Sequence, residues 1–359
     1  VIIMGRLTKL LVFSLVLGLS LPLLSGCGGS EKPRKKESSP RLKTDRSEAA
    51  PSPARLDEAA EPKEEEDPAA ARLDKLIAML DSTSSSKRKH ALNQLAATKD
   101  KDLAKPALKP IRKCIQDENP QVRALAALAL LKLEGKEASY SIRPLLKDDS
   151  LEVRATVLNE LGKLGKDFND ELMAGLDDKS PEIQEIVLDH LSRQHVKRAD
   201  ALAVKLFERT EVERLRAQVL DYLIRIKSDK GTAAVEKLLD DLDGVTLTLA
   251  VRYLGEYGKP AQASKLVDYL QDRQVGVRKE AAKIMAARKI KTRDAIWGLI
   301  RLLRDKQTGV RVAAHEALKK LTNQDFKFDP KEMDEKKVEP ALEKWEAWMA
   351  KNEKKFPEQ

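Results

Sequence analysis

The sequence predicts an all-α chain: a superhelical stack of about eight helical hairpins, closed by a C-terminal capping helix. Three observations carry this. A pattern D-x-x-x-x-V-R-x-x-A-A-x-A-L-x-x-L recurs, as in "DENPQVRALAALALLKLEG", "DDSLEVRATVLNELGKLG", "DRQVGVRKEAAKIMAARK" and "DKQTGVRVAAHEALKKLT". Its arginine position is filled by Arg88, Arg123, Arg154, Gln184, Arg216, Leu247, Arg278 and Arg311, at intervals of 35, 31, 30, 32, 31, 31 and 33 residues. A period of that size, filled by two helices, marks a solenoid. Finally, Ala, Leu, Glu, Lys, Arg and Asp dominate and only 4% of residues are aromatic. That favours helix nearly everywhere and speaks against a core of large rings.

Residues 1–26 come before the repeats and have the layout of an export signal. Arg6 and Lys9 stand first, then an apolar run from Leu10 to Leu24, then small residues. The apolar run is short for a stable membrane span. The tetrad Leu24-Ser25-Gly26-Cys27 resembles the lipobox of exported bacterial lipoproteins. The resemblance implies that Cys27 receives a diacylglyceryl group, that cleavage follows Gly26, and that the new amino terminus is acylated. Two or more acyl chains hold firmly, each buried methylene contributing about 0.8 kcal/mol. Gly28 follows rather than Asp, which in such lipoproteins implies the outer rather than the inner membrane. The alternative is an uncleaved signal anchor with Cys27 buried.

Residues 27–66 are expected to form a disordered tether. Pro33, Pro40, Pro51, Pro53 and Pro62 punctuate charged and small residues with little apolar surface to bury. A flexible coil of roughly 40 residues spans about 35 Å. Within it Lys32–Arg46 is mostly basic and Glu48–Asp67 mostly acidic, so the formal charge of +9 resides in the repeats. Once Cys27 is modified, Cys114 has no disulfide partner and is expected to be a small core residue.

Residues 67–321 are expected to hold the hairpins. In the third, Val153, Val157, Leu158, Leu161 and Leu164 share one face of the second helix, after a shorter helix striped by Ile142, Leu145 and Leu146. Leu172, Met173 and Leu176 precede Ile183, Val187 and Leu191 in the same way, as Leu266, Tyr269 and Leu270 precede Val277, Ala281 and Ile284. Asn119, Ser150, Ser180 and Asp243 are placed to cap second helices. Pro120 and Pro181 follow at the first helical position, and Gly165 and Gly258 end second helices.

An Asp and an Arg six apart occur together as Asp117/Arg123, Asp148/Arg154, Asp272/Arg278 and Asp305/Arg311. Here the chain resembles HEAT-like repeats, specifically the short bacterial type also seen in phycobilisome lyases. The resemblance implies that these eight residues form a structural ladder between neighbouring units. Thr210 and Leu247 break the ladder in the fifth and sixth units and Gln184 weakens it in the fourth, so that stretch is expected to be less rigid.

Residues 322–359 form the cap and tail. "LTNQDFKFDPKEM" resembles a closing segment of some bacterial HEAT-like proteins, departing from it at Asn323 and Met333, where Gly and Trp are common. Leu342, Trp345, Trp348 and Met349 then make an apolar stripe behind Glu339-Pro340. A capping helix is expected, because an end unit must cover its open face; a partner-binding stripe is the alternative.

No catalytic, metal or cofactor site is expected. The chain has no H-E-x-x-H, G-x-S-x-G or phosphate-loop motif. Of its four histidines only His190 and His195 are close, and five apart they leave a common helix face. The row Leu128, Asn159, Asp189, Asp221, Arg252, Lys283 and Glu316 mixes signs, unlike a groove for phosphates, so no nucleic acid is expected. The stack would be roughly 70–80 Å long at ~8–10 Å per helix layer, with an extended concave face for a protein or peptide. The function expected is a non-catalytic, lipid-anchored interaction scaffold of the bacterial cell envelope, its repeats in the periplasm or outside the cell. One alternative is a phycobilisome lyase-like enzyme or chromophore-binding protein. Another is an anionic envelope polymer held by Lys87-Arg88-Lys89 and the basic residues between Arg278 and Arg304.

Overall fold

A computed structural model describes residues 68–358. The signal segment, Cys27 and the tether lie outside the described residues. Among those described, every regular element is a helix. Eight hairpins follow in order: α1 (Pro68–Leu80) with α2 (Ser85–Ala96), α3 (Leu108–Cys114) with α4 (Pro120–Glu134), α5 (Ser139–Ile142) with α6 (Leu151–Leu164), α7 (Asn169–Gly175) with α8 (Pro181–Arg193), α9 (Asp200–Arg209) with α10 (Glu213–Ile226), α11 (Thr232–Leu238) with α12 (Gly244–Tyr257), α13 (Pro260–Lys265) with α14 (Val275–Arg288), and α15 (Arg293–Leu302) with α16 (Thr308–Thr322). A final helix, α17 (Glu335–Asn352), closes the series.

The second helices form a continuous layer, each packed along its neighbour from α2 to α16. The first elements touch one another more sparingly. They are also less regular than their apolar stripes predict. Leu145 and Leu146 lie not on a helix continuing from Ile142 but on a 3-10 segment, Arg143–Lys147. Pro144 there has no N–H to offer an α-helical ladder. Tyr269 and Leu270 likewise sit on the 3-10 segment Asp268–Gln271.

Turn chemistry follows the sequence in part. Asn119 accepts from the N–H groups of Gln121 and Val122, and Asp243 from that of Gly244. Ser150 and Ser180 occupy N-cap positions without bonding through their side chains to the helix backbone. Gly165 stands at φ 106, where a side chain would be strained, whereas Gly258 ends its helix at φ −64. Three second helices end on a left-handed residue, at Lys227, Lys289 and Asn323, the last at the position where the resembling closing segments commonly have Gly.

The buried core forms two clusters that meet on α6. Val153, Val157 and Leu161 belong to the N-terminal cluster, and Leu158 to the C-terminal one. Cys114 is buried and free. Burial pushes its thiol up to about 11, so it is an inert core residue rather than a nucleophile.

The cap differs from its sequence reading in where it starts. Asp334 accepts from the N–H of Lys336 at 3.0 Å, and that cap starts α17 at Glu335, so Pro340 lies inside the helix instead of at its start. Trp345 and Met349 are fully buried and Leu342 nearly so. Trp345 meets Phe326 edge to face with ring centroids 4.7 Å apart, and Trp348 bridges to Phe356. The tail is tied to α15 by Arg293 N–H donating to Pro357 O at 2.9 Å. The apolar stripe is therefore spent on covering the last hairpin.

Candidate functional site

Arg88, Arg123, Arg154 and Arg278 repeat one arrangement at the turn end of the stack. Arg88 donates from Nη1 to the carbonyls of Ser82 and Thr83 and pairs with Asp117 of the next hairpin. Arg123 donates from Nη1 to the carbonyls of Asp117 and Glu118 in its own turn, at 2.8 and 3.2 Å. From Nε and Nη2 it donates to the Asp148 carboxylate of the next hairpin, at 2.7 and 2.8 Å. Arg154 binds the carbonyls of Asp148 and Asp149 and the carboxylate of Asp178. Arg278 does the same with Asp272, Arg273 and Asp305. Each aspartate also accepts the N–H two residues on, as Asp148 does from Ser150 at 2.9 Å. The Arg123 guanidinium holds the Asp148 carboxyl below the usual carboxylate range.

The Asp and Arg six apart are thus joined within the turn through a carbonyl. The rung between hairpins runs forward, from the arginine of one unit to the aspartate of the next. Arg88 with Asp117 and Arg154 with Asp178 are rungs that pairing within units did not reveal. Arg311, with no ninth hairpin ahead of it, donates from Nε to Pro330 O at 2.8 Å and from Nη1 to Asp305 O at 2.9 Å.

The rungs lapse from the fourth hairpin to the seventh. Gln184 keeps the turn contact, donating to Asp178 O at 2.6 Å, and Thr210 stands where the next carboxylate would be. Arg216 is present, but its Nε is buried without a hydrogen-bond partner. Its expected partner, Asp241, is exposed, because the turn is rebuilt around Gly244 at φ 56 with Asp243 capping it. Leu247 leaves Asp272 without a guanidinium.

At the opposite end of these same helices a second set of clamps appears. Six residues past the arginine register, the fourth, fifth and sixth hairpins carry His190, Tyr222 and Tyr253. His190 Nε2 bonds Asn159 Oδ1 of the preceding hairpin at 3.1 Å, and burial lowers its pKa, so the ring is neutral and donates. Tyr222 donates to Val196 O at 2.6 Å. Tyr253 donates to Ser228 O at 2.8 Å and accepts from Gly231 N–H at 3.0 Å. Ser228 Oγ and Lys230 Nζ both donate to Asp200, at 2.9 and 2.7 Å. Each aromatic reaches back across one junction, adding contacts between hairpins where the rungs lapse.

Tyr253→Phe removes a hydroxyl serving two buried backbone groups, which costs about 1–3 kcal/mol, read as a lower denaturation midpoint. Burial pushes the Tyr253 phenol up to about 12 from an ordinary 10. The unfolded chain therefore loses this proton first; the clamp's contribution is complete below pH 10 and lost as pH rises from there toward 12. The phenylalanine variant should show a shallower alkaline loss of stability.

His190 also needs Gly162, since a Cβ there would lie 2.3 Å from its ring. Alanine normally gains about 1 kcal/mol over glycine in a helix. Here that is outweighed by overpacking against a rigid ring, about 1–3 kcal/mol. Gly162→Ala should lower the melting temperature, and His190→Ala should relieve the clash in the double variant.

The row along the second helices carries no single charge. Asp189, Asp221 and Arg252 pair within their helices with Arg193, Arg225 and Glu256, and Lys283 with Glu280. A cavity of about 690 Å³ opens where the two core clusters meet, between Leu146, Leu158, Ala174 and Gly175, with Arg143, Glu171 and the Arg154–Asp178 rung around it. Among the described residues no three His, Cys, Asp or Glu side chains converge as metal ligands, and no helix is long and apolar enough to cross a membrane.

The chain matches a family model described as HEAT repeats over residues 73–150, 108–188 and 199–284, more than half of its length. It belongs to the HEAT-repeat family. No curated protein matches it. Similar structures include a crystallised engineered protein, 19% identical, covering 76% of this chain and 82% of that one, with a TM-score of 0.47. A homology model of the full-length AP-3 complex in an intermediate open conformation is 12% identical over 79% of this chain and 54% of that one, with a TM-score of 0.49. The X-ray structure of E. coli YibA is 19% identical over 74% of this chain and 98% of that one, at 0.45. HEAT repeats serve generally as scaffolds for protein interaction, since stacked hairpins offer a long surface.

Proposed function

We propose that this HEAT-repeat chain is a lipid-anchored protein-interaction scaffold of the bacterial cell envelope, with outer-membrane attachment through Cys27. The observation that carries the scaffold reading is the uninterrupted layer of second helices from α2 to α16, a surface built of hairpins that each contact their neighbours in line. The anchor rests on the sequence Leu24-Ser25-Gly26-Cys27 and the charged, apolar and small segments before it. The repeats then stand away from the bilayer on the 27–66 segment and present their helical layer to partner proteins.

Metabolic labelling with palmitate tests the anchor. Label should enter the wild-type chain and be lost from Cys27→Ser; equal labelling of both removes the lipoprotein reading. Crosslinking in intact envelopes tests the scaffold. Reproducible protein partners are expected, and their absence counts against it.

A further inference from the structure

Three arginines are buried among the described residues, Arg88, Arg154 and Arg311, at 7%, 4% and 5% exposure. The first two each face a carboxylate of the next hairpin, Asp117 and Asp178. Arg311 faces none. Its Nε donates to Pro330 O, its Nη1 to the carbonyls of Asp305 and Lys306, and its Nη2 to Thr308 Oγ1 and Met333 Sδ, both at 3.1 Å. All five N–H groups have a partner, but every partner is neutral. A charge taken out of water without a counter-charge is costly to the fold and favours any anion that can reach it.

The weakest of these contacts is the thioether, since sulfur is a poor acceptor. Met333 is also 68% exposed, so it covers the guanidinium without being anchored in the core. A cavity of about 380 Å³ opens here between the last turn and the start of α17, lined by Arg311 and Met333 and walled on its apolar side by Leu303, Val338 and Leu342. Four acids line it as well, and three are already engaged. Asp305 is held by Arg278, Glu339 by Arg304, and Glu332 by Lys337 and the N–H groups of Met333 and Asp334. Glu335 is left, and Lys306, likewise without an ion-pair partner on the same cavity, offsets it. The Arg311 charge is the surplus.

The interior rungs show what this guanidinium lacks, because there Nη2 donates to a carboxylate oxygen, as in Arg123 with Asp148 and Arg154 with Asp178. We propose that the cavity binds the carboxylate of an aliphatic acid, which displaces Met333 Sδ from Arg311 Nη2 and lays its apolar part against Leu303, Val338 and Leu342. A charge-assisted bond to a guanidinium is stronger than one to a neutral acceptor, and the exchange sacrifices only a thioether contact. The volume lies within the range of small-ligand sites, which begins at about 300 Å³. A free aliphatic acid and the C-terminal residue of a partner protein present the same chemistry. The site does not depend on the scaffold reading.

The test is isothermal titration calorimetry of the full-length chain with octanoate and with the peptide Ala-Ala-Leu-Val, the latter with a free or an amidated C-terminus. At least one of the two acids should bind saturably, and the isotope-labelled methyl signal of Met333 should shift with occupancy. Tighter binding of the peptide assigns the site to a partner's C-terminus, and tighter binding of octanoate to a free acid. The amidated peptide should bind at least about tenfold more weakly than the free one. Met333→Glu puts Cδ of a carboxylate where Sδ now stands and so supplies the missing anion from within the chain. That variant should melt at a higher temperature and bind either acid at least about tenfold more weakly; the position is exposed, so folding is not at risk. No binding of either acid by the wild-type chain, or equal binding by the amidated peptide or by Met333→Glu, overturns the proposal.

Discussion

Arg154→Met is expected to lower the free energy of unfolding by about 3–5 kcal/mol, the range for breaking a buried ion pair from one side. The Arg154 side chain is 4% exposed and that of Asp178 11%. Methionine replaces the aliphatic stem but none of the four hydrogen bonds. The Asp178 carboxylate then retains only the Ser180 N–H at 2.9 Å, and two turn carbonyls lose their donor. Coulomb attraction alone would make a surface pair worth little; burial on both sides and bidentate geometry make this rung different. Urea denaturation reads the loss, and a midpoint shift within error of zero would show the rung to be incidental. Replacing Asp178 as well, as Asn, should recover part of the loss, because the stranded charge goes with it.

Trp345→Ala is expected to cost about 3–5 kcal/mol, the usual range for truncating a buried aromatic residue. The ring is fully buried and holds Phe326 and Trp348 around it. Its loss opens the closing segment and exposes the apolar side of the eighth hairpin, which has no ninth to cover it. The effect should include increased aggregation and binding of a hydrophobic dye. Trp345→Phe should be milder, since it keeps a ring and removes an indole N–H that has no partner. Normal stability with loss of partner binding would instead make this stripe a binding surface.

Much of this architecture was legible in the residues because a solenoid repeats its constraints. The arginine register located every second helix, including those where Gln184 and Leu247 stand in for it. The first elements were harder to define, since short apolar stripes such as Ile142–Leu146 fit α and 3-10 geometry equally well. The ladder was legible in composition but not in connectivity. A spacing of six showed Asp and Arg to be associated, while the reach of the guanidinium past its own turn to the next unit is a matter of side-chain direction. The clamps at His190, Tyr222 and Tyr253 left a signal that went unread: three hydrogen-bonding rings at one register, in the three consecutive units where the Asp–Arg pair fails. For Cys27 the tetrad remains the evidence, as it lies outside the described residues.

The central physical claim is that each hairpin is held by its immediate neighbours, so that damage stays local along the stack. Hydrogen exchange read by mass spectrometry, comparing Arg154→Met with the wild-type chain under native conditions, tests this most directly. The account predicts faster exchange in α6 and α8 and a smaller effect in α4 and α10, with α14 and α16 unchanged. Uniform loss of protection from α2 to α17, as in one closed core, would contradict it.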